Sequence, residues 1–212
     1  MWLPGGYLEG MDGCWGGVGW RVSGRQKQIM KVIGGYMYII ETTRLGLRNW
    51  MDSDIPKFVE MNRDPKVMEF FPKVLSEEET KELVQRIRVH INEKGFGPWA
   101  AEIKETRGFI GFVGLSIPRF QTNFTPCVEV GWRLAFNYWE KGYAQEAARE
   151  CLNYGFRSLG LKRIVSFTSV LNDRSMNVMR KIGMDYVMDF EHPNIDPGHK
   201  LRRHVLYAKN YE

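Results

Sequence analysis

Long hydrophobic runs are missing from this 212-residue chain. Glycines and charges interrupt every window of about 18 residues, which excludes a membrane-spanning helix, and no apolar core follows a basic start as a secretory signal requires. Cysteine is scarce: Cys14, Cys127 and Cys151 are odd in number and unrelated in spacing, so they suit neither a disulfide framework nor a zinc set. A reducing, cytoplasmic setting follows. His192, His199 and His204 match no compact ligand spacing, so no metal is expected and the three are placed on the surface. P-loop, dinucleotide fingerprint, paired CxxC, nucleophile elbow and internal repeat are all lacking. So is a strong charge of one sign. The net charge of +5 favours anionic partners without choosing among a phosphate-rich cofactor, RNA and acidic proteins. The basic clusters are short and read as solvated faces, and no direct DNA binding is expected.

What is present is an ordinary globular composition, 43% hydrophobic and 26% charged, on a chain long enough for a self-sufficient core. Residues 1–36 stand apart, holding ten of the 22 glycines and three of the seven tryptophans with no helical or strand period. They read as an N-terminal extension, either disordered or the product of a misassigned start, ahead of a domain over 37–212. Within that domain Met37 to Trp50 reads as one first strand, and Asp52 or Ser53 as the cap of a helix through Ile55, Phe58 and Val59. Ser76 with Glu79 forms a capping box opening a helix with Leu83, Ile87 and Ile91 on one face, which Gly95 stops. Pro98 to Ile103 and Phe109 to Ile117 read as a hairpin, followed after a loop by a strand from Cys127 to Leu134. A helix from Gly142 to Leu159 turns small residues inward, including Ala147, Ala148, Cys151 and Gly155, which predicts close approach to a sheet. A strand from Ile164 to Val170, a helix capped by Asn172 or Asp173 and closed by Gly183, and strands Met184 to Phe190 and Arg203 to Lys209 complete the pattern. The predicted fold class is α+β, a mixed central sheet flanked by helices on both faces. Its one parallel crossover runs from the Cys127 strand through the Gly142 helix to the Ile164 strand.

The chemistry concentrates in residues 127–148. A strand ends, a loop turns, and Lys141-Gly142-Tyr143-Ala144 leads straight into a helix, so unpaired backbone N–H groups and the positive end of a helix dipole converge there. Such a point binds phosphate. Gly142 and Ala144 leave the backbone approachable, and Lys141 adds a cation. On the preceding strand Val128 and Val130 share one face, so Glu129 points to the other, where a carboxylate in an apolar cleft can serve as base.

Five ordered segments carry a resemblance. Thr42-Thr-Arg44-Leu-Gly-Leu47, Ile110-Gly-Phe-Val-Gly114, Glu129-Val-Gly-Trp-Arg-Leu134, Tyr138-Trp-Glu-Lys-Gly-Tyr-Ala144 with Glu146-Ala, and Asn172-Asp-Arg-Ser175 running to Lys181-Ile-Gly183-Met resemble the GCN5-related (GNAT) N-acetyltransferase superfamily. Within it they look like the RimJ/RimL-type ribosomal-protein N-acetyltransferases. The resemblance implies an acetyl-CoA-dependent N-acetyltransferase, with acetyl-CoA as co-substrate, its diphosphate on the amides of Lys141, Gly142, Tyr143, Ala144 and Gln145, and its pantetheine arm along Arg133 and Leu134. Asn172 is implied as a further CoA contact and Ser175 as the acid that protonates the leaving thiolate. Two departures are visible: Trp139 stands where the superfamily often carries Gln or Arg, and Met179 where many members place a tyrosine acid.

Acyl transfer to an amine needs a base for the ammonium and a proton for the thiolate; Glu129 answers the first by its position, and for the second the resemblance implies Ser175, so these two stand as the catalytic pair. The amine, either a protein N-terminus or a small molecule, is expected against Phe70, Phe71, Pro72 and Trp99, with the loop Phe120 to Phe124 as a further wall. The competing reading is a non-catalytic CoA-binding or ribosome- and RNA-associated module on the same fold. Either a monomer or a homodimer fits, and no membrane partner is expected.

Overall fold

The computed structural model describes residues 32–33 and 36–211. The expectation that 1–36 form a separate extension falls almost wholly outside these residues. At its edge, β1 (Val32–Ile33) pairs antiparallel with β2 (Tyr36–Met37). The main sheet is mixed and eight-stranded. It is built from β3 (Ile40–Glu41), β4 (Leu45–Arg48), β5 (Pro98–Ile103), β6 (Gly108–Ser116), β7 (Glu129–Leu134), β8 (Arg163–Ser169), β9 (Asp185–Glu191) and β10 (Arg203–Asn210), in the order β3-β4-β5-β6-β7-β8-β10-β9. Every pairing is antiparallel except β7 with β8, so the parallel crossover stands where the strand and helix signals put it.

Two local expectations change. The single strand from Met37 to Trp50 is a hairpin: the Thr42 hydroxyl accepts from the Leu45 N–H at 2.9 Å while the Thr42 N–H donates to the Leu45 carbonyl at 2.9 Å. A threonine side chain substituting for backbone turns the chain there. Neither Asp52 nor Ser53 caps α1 (Ile55–Arg63), because a 3-10 turn over Asp52–Asp54 precedes it. Asp54 instead points inward, its two carboxylate oxygens 2.8 Å from the Arg48 guanidinium, whose Nε also donates to Glu102 at 2.6 Å. The three groups are almost completely buried; one guanidinium is shared by two carboxylates, and Arg107 Nη1, 3.1 Å from Glu102 Oε1, supplies the second positive charge where water cannot.

The capping box of α2 (Glu77–Lys94) forms as its sequence dictates: the Glu79 N–H donates to Ser76 Oγ at 3.1 Å and the Ser76 N–H to Glu79 Oε2 at 2.8 Å. Gly95, at φ 75°, ends the helix. On α3 (Tyr143–Arg157), Ala147, Ala148 and Cys151 are fully buried. A Cβ on Gly155 would stand 2.5 Å from Ile164 Cδ1, so the small-residue face does bring the helix axis close to β8. The last helix, α4 (Asp173–Lys181), is capped by Asn172, whose Oδ1 accepts from the Ser175 N–H at 3.1 Å.

Strand alternation sorts the core onto two faces. Trp99, Ile110, Val113, Leu115, Val130, Ile164 and Val205 pack with α3 and α4 on one. On the other, Ala100, Phe109 and Phe112 meet α1 and α2, while Val165, Phe167, Leu206 and Ala208 lie under Phe120 and Phe124 from the 117–128 loop. The seam between those two clusters runs along β7.

Candidate active site

Strands β7 and β8 are in register at one pair only, Glu129 with Val165, although β7 continues to Leu134 and β8 to Ser169. Parallel strands normally pair along their length. Here they diverge, and a cleft of about 380 Å³ opens between them. Its floor is β7, whose glycine at 131 faces the space. Across the floor, Gly114 pairs with Gly131, and a Cβ on Gly114 would stand 2.1 Å from the Gly97 carbonyl oxygen. That close approach of strands requires glycine.

Glu129 lines the cleft at its closed end. It is buried, and Ser116 Oγ donates to its Oε2 at 3.4 Å. Burial pushes its carboxyl above the usual carboxylate range, and the Ser116 hydrogen bond opposes the shift without cancelling it. Arg133, four residues along and on the same face, also lines the cleft and is buried. Its Nη1 donates to Asn62 Oδ1 at 2.8 Å, Phe71 covers the guanidinium plane at 3.9 Å, and burial lowers its pKa to about 9. Leu134 sits at the open end, its carbonyl accepting from Trp139 Nε1 at 2.8 Å. Trp139 thereby ties the loop to the strand, a structural use for the residue that departs from the superfamily's pattern.

At the mouth, Gly142 adopts φ 79° as the N-cap of α3, a conformation that favours glycine. The Glu146 N–H donates to the Gly142 carbonyl. Among the described residues, no protein group accepts from the N–H groups of Gly142, Tyr143, Ala144 and Gln145, and all four residues line the cleft. Unsatisfied amides at the positive end of a 15-residue helix are the kind of donors that an anion can take. Lys141 is exposed, and its Nζ stands 5.7 Å from the Tyr138 ring centroid rather than in the cleft wall. Opposite, Asn172 and Ser175 line the wall, with Asn172 Nδ2 donating to Ser175 Oγ at 3.1 Å and to Thr168 Oγ1 at 3.0 Å.

The aromatic expectations divide. Phe71 lines the cleft; Phe70 does not, and stacks under the Arg174 guanidinium at 5.4 Å. Trp99 is a correction. Its side chain is 1% exposed on the opposite face of the sheet, edge-on to Tyr154 with centroids 5.4 Å apart, because strand alternation turns it toward α3 while its neighbour Pro98 reaches the cleft. Phe120 and Phe124 pack on Phe167 and Phe190 and leave the cleft lining.

The surface placement of the histidines is also overturned for two of them. His192 and His204 are buried with ring centroids 4.9 Å apart among those phenylalanines. Burial pushes both pKa values down, to about 3 and about 4. No cluster of three metal-ligating side chains exists among the described residues, and no helix there is long and apolar enough to cross a membrane.

Sequence reasoning overlooked Ser116, Asn62 and Arg174. Asn62, an amide fully buried in α1, carried a usable signal, since a polar side chain on an apolar helix face demands a partner. Ser116 and Arg174 carried none, because their roles depend on what the fold brings opposite them.

Comparison with known proteins agrees with this architecture. The chain is 38% identical over 151 residues to the protein YkkB of Bacillus subtilis, covering 68% of this chain and 84% of that one. It is 32% identical over 146 residues to the N-acetyltransferase YnaD of the same organism, covering 68% and 81%. A solved GNAT-family acetyltransferase from Bacillus anthracis superposes with a TM-score of 0.67 at 27% identity, over 81% of this chain and 97% of that one. The fold is shared by the spermidine N-acetyltransferase of Vibrio cholerae solved with CoA and spermine, at TM-score 0.62 and 19% identity, over 79% and 96%. Residues 44–185 match the model of the acetyltransferase (GNAT) domain, and with two thirds of its length inside that match this chain belongs to the GNAT acetyltransferase family.

Proposed function

We propose that this protein transfers the acetyl group of acetyl-CoA to a primary amine, a protein N-terminal α-amine or a small-molecule amine, by direct attack in a ternary complex. The observation that carries the reading is the divergence of β7 and β8 beside a helix start with free amides. The diphosphate would lie on the amides of residues 141–145 and the pantetheine arm along β7 around Arg133 and Leu134, near Asn172. A CoA-bound fold relative acting on a polyamine supports both the donor and the acceptor class, and the RimJ/RimL resemblance supports the protein N-terminus.

In this reading Glu129 takes a proton from the ammonium, directly or through water, and the freed nitrogen lone pair attacks the thioester carbonyl. The tetrahedral adduct collapses, the C–S bond breaks, and the thiolate accepts a proton from a hydroxyl that is restored by the second proton the nitrogen sheds as the amide forms. Ser175 is the donor, because Oγ accepts from Asn172 Nδ2 and so keeps its own hydrogen for a new partner. A base whose pKa lies nearer the working pH transfers protons more effectively, and burial has moved Glu129 in that direction. No covalent acyl-enzyme is required, since holding two substrates together supplies much of the rate. Phe71, with Phe70 beside it, is our candidate contact for the acceptor.

The test is calorimetric titration with acetyl-CoA, then a thiol-release assay with N-terminal peptides and polyamines. Saturable binding and acceptor-dependent release are expected. No binding at millimolar acetyl-CoA would remove the proposal.

A further inference from the structure

Lys141 was the cation expected at the phosphate loop, yet a different cation is anchored there. Arg44, in the turn between β3 and β4, lies 102 residues from Glu146 in sequence. Its Nε donates to Glu146 Oε2 at 2.7 Å, its backbone N–H to Glu146 Oε1 at 2.8 Å, and its Nη1 to the Lys141 carbonyl at 2.9 Å. Thr42 Oγ1 adds a 2.6 Å bond to the same carboxylate. The guanidinium lies over the Tyr143 ring at 4.4 Å. Its remaining nitrogen, Nη2, faces Gly142, 3.4 Å from where a Cβ would stand.

Glu146 sits in the first turn of α3. Burial alone would raise its pKa, but hydrogen bonds from Thr42 and Arg44 outweigh that and hold it below the usual carboxylate range, so it is ionised at neutral pH. An unneutralised carboxylate there would repel a diphosphate at the same helix end. Arg44 removes that repulsion, and Glu146 in return fixes the guanidinium so that Nη2 keeps two hydrogens for another acceptor.

We propose that Arg44 is the cation of the phosphate site, a binding residue for the diphosphate of CoA held in place by Glu146. This rests on the acetyl-CoA reading above and names the group that gives the anion site its charge. Arginine suits the role, because its planar fork engages a carboxylate on one edge and a phosphate on another.

The test compares wild type with Arg44→Ala, Arg44→Lys, Glu146→Gln and the Arg44→Ala/Glu146→Gln double variant. Calorimetry with CoA is read at two salt concentrations, and turnover is measured with S-acetylpantetheine, which lacks the diphosphate. Loss of Arg44 should weaken CoA binding about tenfold or more, as for other charge-assisted hydrogen bonds, and flatten the salt dependence. KM for S-acetylpantetheine should hold. The double variant should recover part of the CoA affinity, since the repelling carboxylate is gone. Thermal midpoints separate folding from binding, and Arg44→Lys, with the charge but not the fork, should fall between. Unchanged CoA affinity in folded Arg44→Ala, or equal loss with both donors, would overturn the proposal and leave the acetyl-CoA reading intact. Failure of the wild type to bind CoA would overturn both.

Discussion

Replacing Glu129 with glutamine keeps the shape of the side chain and its hydrogen-bonding capacity toward Ser116 while removing the carboxylate. If Glu129 is the base, the chemical step should slow by about 10²- to 10⁴-fold near neutral pH, the usual worth of a positioned base. The affinity for CoA should stay within about twofold, because the anion site lies at the other end of the cleft. The pH profile gives a second reading. Burial raises the Glu129 pKa, so wild-type kcat/KM should climb with pH along a limb above the ordinary carboxylate range, and the variant should lack that limb. Stability supplies a third. A carboxyl whose folded pKa exceeds its unfolded value stabilises the fold while protonated, and that contribution is lost as pH rises through the folded value. Glu129→Gln should therefore melt higher than wild type at neutral pH, with the gain shrinking toward acid. Activity would be lost while stability rises, the trade expected of a buried functional charge. Stopped-flow thiol release and thermal unfolding across pH 5 to 9 would read all three. A variant with wild-type rate and the same pH limb would refute the role of Glu129 as base.

The buried histidines predict acid lability. With folded pKa values of about 3 and about 4, His192 and His204 stay neutral while the unfolded chain takes up protons below about 6.5, so stability is full above that pH and falls as pH drops. Each contributes a slope of about 1.4 kcal/mol per pH unit. Urea midpoints should fall between pH 6.5 and 4.5, and His204→Phe should flatten the fall; a midpoint independent of pH in that window counts against it. Gly114→Ala should cost about 3 kcal/mol, at the upper end for overpacking, because its Cβ meets backbone at Gly97 and Pro98 that no side-chain rotation relieves. Chemical denaturation reads the loss, and a change under about 0.5 kcal/mol would show that β5 and β6 can separate without penalty.

Much of this structure was legible because its signals are local. The Ser76 and Glu79 pair works over three residues. The Lys141 to Ala144 entry into a helix, and Gly142 at positive φ, need only the chain on either side. The alternation that sets Glu129 against Val130 is a two-residue period, read correctly from one strand. Where a local rule admitted two outcomes, reading failed: Thr42 to Leu45 reads as strand by hydrophobicity and as turn by hydroxyl chemistry, and the hydroxyl won.

The sequence by itself determined which segments become strand or helix and where a helix would start with exposed amides, since those properties follow from neighbours a few bonds away. Only the tertiary structure decided that β7 and β8 part after one pair, that Trp99 faces α3 while Phe71 reaches the cleft, and that His192 and His204 meet in an aromatic cluster. It also brought Arg44 to Glu146. Such contacts join residues far apart in the chain, and their partners are set by which sheet face is buried and how closely α3 can approach it, quantities that no short window of sequence contains.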